Sequence, residues 1–230
     1  MSERAIPIDG RSYQVDGRAV ARRAIPDSEE LHYHYDFSEY DTTTTSDIPD
    51  LSGNDRTLDE GSFTGYDTIN GVQAADFNSG NNDRVGTGVD DLQPIEVFVI
   101  VEVDTSEGVI IDLLDVNAPD RHSIEIRSEG WYYNNDGGTD LDGKMEDGEQ
   151  LASVQVGNDN LEGRVEDSSQ GSNSLGTNAA DGISLGGHDG GGGFFTGQIG
   201  EVLAYPPRSS SQRSDVWGYL NNKWSLGLSL

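Results

Sequence analysis

The chain has 230 residues, 14 of them Lys or Arg against 42 Asp or Glu, a formal net charge of −28 at pH 7, and no cysteine. Disulfides, thiolate nucleophiles and zinc–thiolate sites are thereby excluded, and no run approaches the roughly 18 apolar residues of a membrane span. A folded chain of this size has a surface on the order of 10,000 Å², or roughly 360 Å² per net charge. In dilute buffer such a surface repels itself. In molar salt, where the Debye length is about 3 Å, the repulsion is screened, so stability is predicted to rise with salt.

Residues 1–28 read as an N-terminal arm. Arg4, Arg11, Arg18, Arg22 and Arg23 stand against Glu3, Asp9 and Asp16, which gives residues 1–26 a net charge of +2 and leaves −30 on the rest. Ala5-Ile6-Pro7 recurs as Ala24-Ile25-Pro26, with Asp9-Gly10 and Asp16-Gly17 between them as tight turns. The segment has too little apolar material for a core of its own. It is either a disordered tail or an extended anchor that orders against an acidic partner. Met1-Ser2-Glu3-Arg4 leads into no apolar stretch, so no secretory signal is expected and synthesis is expected in the cytoplasm.

From residue 29 onward the pattern is β. Leu31, Tyr33, Tyr35 and Phe37 alternate with polar residues, as on a half-buried strand. His32 and His34 share one face of it, as a metal pair with no third ligand in view or as exposed polar positions. Glu96–Asp104 and Val109–Leu114 are apolar runs joined by Thr105-Ser106-Glu107-Gly108, a hairpin signature. Within them Glu102, Asp104 and Glu107 match E-x-D-x-x-E, the acid triplet of jelly-roll β-glucanases. A retaining glycosidase needs two carboxylates about 5–5.5 Å apart, and Glu107 falls in the turn, so catalysis is not expected.

His122–Arg127 alternates and runs into Trp131-Tyr132-Tyr133. Unbroken alternation turns Trp131 and Tyr133 outward, where such rings stack on sugars; a bulge at Gly130 reverses them. Asp140, Asp142 and Glu149, with Asp136 nearby, have part of the spacing of a calcium loop, although Gly138 takes its first position. Calcium is the one cofactor this permits; the alternative is a solvated acidic loop. Leu151–Val156, Gly182–Leu185 and Phe194–Tyr205 complete the predicted strands. Between the last two, Gly186–Gly193 contains His188, a further candidate for glycan contact, in what reads as a mobile loop at the sandwich edge. No basic patch for nucleic acid lies outside the arm.

One helix is predicted, over residues 209–226. Ser209 and Gln212 have capping-box spacing. Val216, Leu220 and Trp224, joined by Trp217, form an apolar stripe, and Gly227 is the expected stop.

Several segments together resemble the concanavalin A-like, laminin-G-like family. Phe195–Tyr205 (FTGQIGEVLAY) resembles its last strand, and Tyr219-Leu220 with Lys223-Trp224-Ser225-Leu226 its helical ending. Gly182–Gly187 resembles the preceding strand. Tyr35-Asp36-Phe37-Ser38 and Asp50-Leu51-Ser52-Gly53-Asn54-Asp55 resemble the first strand and its turn. The likeness covers about residues 29–227. It implies an all-β, antiparallel jelly-roll β-sandwich at 29–230 with one C-terminal helix and an extended N-terminal arm. It also allows calcium in loop carboxylates.

The acid excess, with Lys144 and Lys223 the only lysines, is similar to that of extreme halophiles. Joined to a family module without a signal, it looks like a structural protein of a haloarchaeal tailed virus: a turret, decoration or fibre. The expectations are a non-enzymatic homo-oligomer on the virion surface, joined by its arm to capsid or tail proteins. It would contact host-surface glycans or surface-layer protein, with neither nucleic acid nor membrane insertion. The alternatives are a purely structural capsid protein, a protein of the haloarchaeal cell surface, and a jelly-roll glycanase.

Overall fold

The computed structural model describes residues 13–15, 18–20, 24–87, 94–104, 107–113, 122–127, 130–135, 139–140, 148–157, 160–166, 168–174, 182–188 and 192–228, in parts of the strands by backbone alone. The strands are β1 (Tyr13–Val15), β2 (Arg18–Val20), β3 (Tyr33–Asp36), β4 (Glu60–Ser62), β5 (Gly65–Ile69), β6 (Val72–Phe77), β7 (Arg84–Thr87), β8 (Ile95–Val103), β9 (Gly108–Leu113), β10 (His122–Arg127), β11 (Gly130–Asn135), β12 (Thr139–Asp140), β13 (Gly148–Gly157), β14 (Asn160–Val165), β15 (Ser168–Ser174), β16 (Ile183–Leu185) and β17 (Gly197–Tyr205), followed by helix α1 (Ser210–Trp224).

Two antiparallel sheets form the sandwich. One runs β12-β11-β10-β9-β16-β7-β4; the other runs β15-β14-β13-β8-β17-β6-β5, with β3 also paired to β17. β6 takes the first part of β17 and β3 the second. The expected all-β sandwich with one closing helix is what the chain forms. The separate pair β1–β2 is a short hairpin within the arm, described by backbone alone.

Period-two alternation places the core. Val97, Val99, Val101, Ile199, Val202 and Ala204 of the eight-stranded sheet meet Ile111, Leu113, Ile124, Ile126, Ile183 and Leu185 of the seven-stranded one. The centre of the run Glu96–Val103 is apolar on both faces because its second face is also covered: Phe98, Ile100, Leu151, Leu203 and Tyr205 pack against Val216, Trp217, Leu220 and Trp224 of α1. The capping box forms as predicted, with Ser209 and Gln212 bonded reciprocally. The helix ends sooner than expected: Ser225, at φ 54°, is the left-handed cap, two residues before Gly227.

Gly200 decides how closely the helix approaches. The register of β17 slips between Ile199 and Glu201, and a Cβ on Gly200 would lie 2.6 Å from the Trp224 ring. The sandwich also takes up chain before residue 29. Ile25 packs on the helix-side cluster, Tyr205 Oη donates to the Pro26 carbonyl (3.0 Å), and Arg208 pairs with Asp27 and Glu30.

The turn at Asp50–Asp55 is tied to β3 through Asp50. Its Oδ1 accepts from the backbone N–H of His34 (3.0 Å) and of Ser52 (2.8 Å). The aspartate of that family-like segment therefore holds the turn in place.

Candidate functional site

Each sheet turns an outer face away from the core, and both faces hold buried acids. On the eight-stranded sheet these include Asp36 of β3 and, fully buried under α1, Glu96 and Glu201. Glu201 Oε1 accepts from Tyr219 Oη (3.0 Å) and lies 3.0 Å from His34 Nε2. Its Oε2 accepts from Lys223 Nζ (2.7 Å) and Trp224 Nε1 (2.9 Å). Lys223 also donates to Asp36. Burial pushes the Glu201 carboxyl up, but the Lys223 ammonium and the His34 contact outweigh it and hold it down at about 2.

Glu96 binds the start of the helix in the same way. It accepts from Arg213 Nε (2.6 Å) and Nη2 (3.3 Å) and from the Arg208 backbone N–H (2.9 Å). Two buried acids thus fasten the two ends of α1.

This arrangement corrects the reading of His34 as an exposed polar position: it is 5% exposed and bonded to Glu201. His32, its expected metal partner, is not in the group; burial and then Arg56 lower its pKa. His34, Asp36 and Glu201 do bring ligand-type atoms within 4.8 Å of one another. The Lys223 ammonium already bonds both carboxylates, so the group is a protein-filled ion network and not a fit for a metal ion.

The seven-stranded sheet is built differently. Asp112 of β9 pairs in register with Ser123 of β10 and Ser184 of β16, a polar row across three strands. Glu125 follows Ser123 on the same face and accepts from its Oγ (2.6 Å). His188 sits over these acids, with Nδ1 3.2 Å from Asp112 Oδ2 and Nε2 3.8 Å from Glu125 Oε1. Beside the ring lies a cleft of about 340 Å³, lined by Glu107, Gly108, Val109, Glu125, Ile126, His188 and Gly193.

Glycines make this seat possible. A Cβ on Gly193 would come within 2.8 Å of both the His188 ring and a Val109 methyl. The segment around His188, expected as a loop at the sandwich edge, leaves a strand in the interior of its sheet, and its residues 189–191 lie outside the described residues. β16 lies inside its sheet, between β9 and β7. Gly186 N donates to Ile110 O (3.0 Å), Val109 N to Gly193 O (2.7 Å) and His188 N to Gly192 O (3.1 Å). Those bonds hold the described part of the segment against β9.

The glucanase-like acids part company. Glu102 lies between the core residues Val101 and Val103, so it points from the outer face of the eight-stranded sheet. Asp104 follows it there and accepts from Gln198 (3.3 Å). Glu107 lines the cleft on the other sheet.

Of the expected glycan contacts, the structure places His188 in the cleft. Trp131 and Tyr133 lie in β11, in register with the core residues Ile126 and Ile124, while Tyr132 pairs with Glu125; the side chains of β11 lie outside the described residues. So do Asp136 and Asp142, and the side chains of Asp140 and Glu149. Arg4, Arg11, Arg22 and Arg23 of the arm lie outside them too, and Arg18 opens β2 with backbone alone described. Sequence reading missed Asp112, Ser123 and Glu125. The signal was present: Asp112 is a lone acid inside an apolar run, and a buried charge demands partners.

No family model and no curated protein matches the chain. Solved structures do. Domain 4 of AbnA, an extracellular arabinanase of Geobacillus stearothermophilus solved with arabinotriose, is similar at TM-score 0.59 and 17% identity, over 81% of this chain and 98% of that domain. Trypanosoma rangeli sialidase in complex with sialic acid is similar at TM-score 0.63 and 12% identity, over 92% of this chain but 36% of the sialidase. A receptor binding domain is similar at TM-score 0.61 and 11% identity, over 84% of this chain and 51% of that one. At such identities the likeness defines the fold class, a two-sheet β-sandwich.

Proposed function

We propose that the chain is a non-catalytic glycan-binding module of a halophilic virion surface, with its site on the outer face of the seven-stranded sheet. The observation that carries this reading is the contrast between the faces: one is sealed by α1, and the other has a cleft with a fixed histidine and carboxylates at its wall. Polar groups converging in a concave site are what small-ligand recognition requires. Support comes from the similar fold of an arabinanase domain solved with arabinotriose, whose length the chain nearly spans. The sialidase and the receptor binding domain add to it. In this reading the arm joins sister copies or a capsid or tail partner, and the sandwich meets host glycans or surface-layer glycoprotein.

Electrophoresis of the full chain through gels containing host-surface polysaccharide tests the reading: retardation without release of reducing ends is expected, and unretarded migration would refute it. A parallel melt from dilute buffer to molar KCl tests the halophilic part. The melting temperature should rise, because molar salt screens the −28 charge.

A second reading, a glycosidase, is favoured by one observation: Glu107 and Glu125 line the same cleft. Release of reducing sugar abolished by Glu125→Gln would establish it in place of the first.

A further inference from the structure

We propose that Tyr132, and neither Trp131 nor Tyr133, is the stacking ring of the glycan site, and that the site takes a linear oligosaccharide laid across strands β9 to β12 from the cleft beside His188. This rests on the glycan-binding reading and gives its ligand a length and a direction.

The placement follows from register. Ile124 and Ile126 belong to the core, so Glu125 between them faces outward. There it accepts from Ser123 Oγ and lines the cleft. In an antiparallel ladder, residues directly opposite one another share a face. Glu125 stands opposite Val109 of β9 on one side and Tyr132 of β11 on the other. Tyr132 in turn stands opposite Asp140 of β12, the strand that ends this sheet. Val109, Glu125, Tyr132 and Asp140 thus form one cross-strand row on the outer face, and the first two are walls of the cleft. Trp131 and Tyr133, opposite Ile126 and Ile124, fall on the core face.

The row beside it is polar. Asp112, Ser123 and Asn134 stand opposite one another across β9, β10 and β11. A sugar ring carries hydroxyls on its rim and C–H groups on its faces. An aromatic residue in one row suits the C–H face, and hydrogen-bonding residues in the next suit the hydroxyls. The rows also set the length. Three inter-strand spacings of about 4.8 Å separate β9 from β12, roughly 14 Å in all. The cleft, at about 340 Å³, is at the small end of ligand sites and holds only the beginning of that path. A single ring in the cleft reaches no further than Glu125, whereas a chain of rings also covers Tyr132.

The experiment is an array of linear oligosaccharides graded from one ring to four, probed in molar KCl with the full chain and with Tyr132→Ala, Tyr132→Phe and Tyr133→Ala, each also followed through a thermal melt. The native chain should bind members of three rings or more at least tenfold more tightly than the single ring of the same series. Tyr132→Ala should lose at least tenfold on those members while melting as the native chain does, and Tyr132→Phe, which keeps the ring, should bind nearly as the native chain does. Tyr133→Ala should melt lower. Equal binding of one ring and of three would confine the site to the cleft and overturn the inference while sparing the glycan-binding reading. Long-chain binding unchanged in Tyr132→Ala, or a Tyr132→Ala variant that unfolds, would overturn it too, as would an equal loss in Tyr132→Phe. If Tyr133→Ala melts unchanged and loses long-chain binding, the faces of β11 are reversed and the inference fails. An array without hits would refute the reading itself.

Discussion

The two outer faces of this sandwich put buried acids to opposite uses. Under α1, Glu96 and Glu201 meet arginine, lysine, tyrosine and tryptophan donors, so that their charges are balanced and their bonds are spent on holding the helix. Across the core, Asp112 and Glu125 have a histidine set between them and a cleft beside it. A chain of −28 with only two lysines places one of them, Lys223, at Glu201. The lesson is that in so acidic a protein the position of a rare lysine marks structural acids, and a histidine set over acids beside a cleft marks a candidate for function.

That contrast breaks first at the helix. Trp224→Ala should cost about 3–5 kcal/mol, as truncating a buried aromatic does, measured by chemical denaturation in molar KCl. A loss within about 0.5 kcal/mol would mean that the ring does not fasten the helix.

Acid should reveal the same clamp. The Glu201 carboxyl is held at about 2, below its ordinary 4.5. Its contribution is therefore complete above pH about 4.5 and is lost as pH falls through 2. Linkage puts it at roughly 3 kcal/mol. The difference in stability between the native chain and Glu201→Gln should shrink steadily over that range; a difference constant from pH 6 to pH 2 would contradict the assignment.

Gly200→Ala should cost about 1–3 kcal/mol, the range for forcing extra volume into a packed contact, since its Cβ would lie 2.6 Å from the Trp224 ring. Denaturation curves superimposable on those of the native chain would show that the helix has room to move away.

How far these features can be read from sequence depends on what each residue faces. The strands at β8, β9, β10 and β17 were legible because one or both of their faces are apolar. The capping box was legible because Ser209 and Gln212 act locally. β5 and β6 carry their signal in the turn, Asn70-Gly71, both at positive φ, and not in their alternation. β14 and β15 (NLEGRV, SSQGSNS) have little apolar content and are strands because β13 offers β14 an edge and β14 in turn offers one to β15.

At the site, His188 was legible as an isolated histidine in a glycine-rich segment. Its place over Asp112 and Glu125 was not, because it depends on strands about 65 to 75 residues away meeting in one sheet. E-x-D-x-x-E failed as a guide for a related reason. Spacing along a chain puts acids on one face only while the strand continues, and here the chain passes from one sheet to the other between Asp104 and Glu107.

The most direct test sets one acid from each face against the other. Glu201→Gln and Glu125→Gln remove the same charge from two buried positions, and each is measured for unfolding free energy and for glycan retention in molar KCl. We expect Glu201→Gln to lose roughly 3 kcal/mol and, where folded, to keep its retention. We expect Glu125→Gln, whose amide oxygen can still accept from Ser123 Oγ, to lose less stability than Glu201→Gln and to lose retention. If Glu125→Gln is the variant that unfolds, or if Glu201→Gln is the one that stops binding, the division between a fastening face and a binding face is wrong.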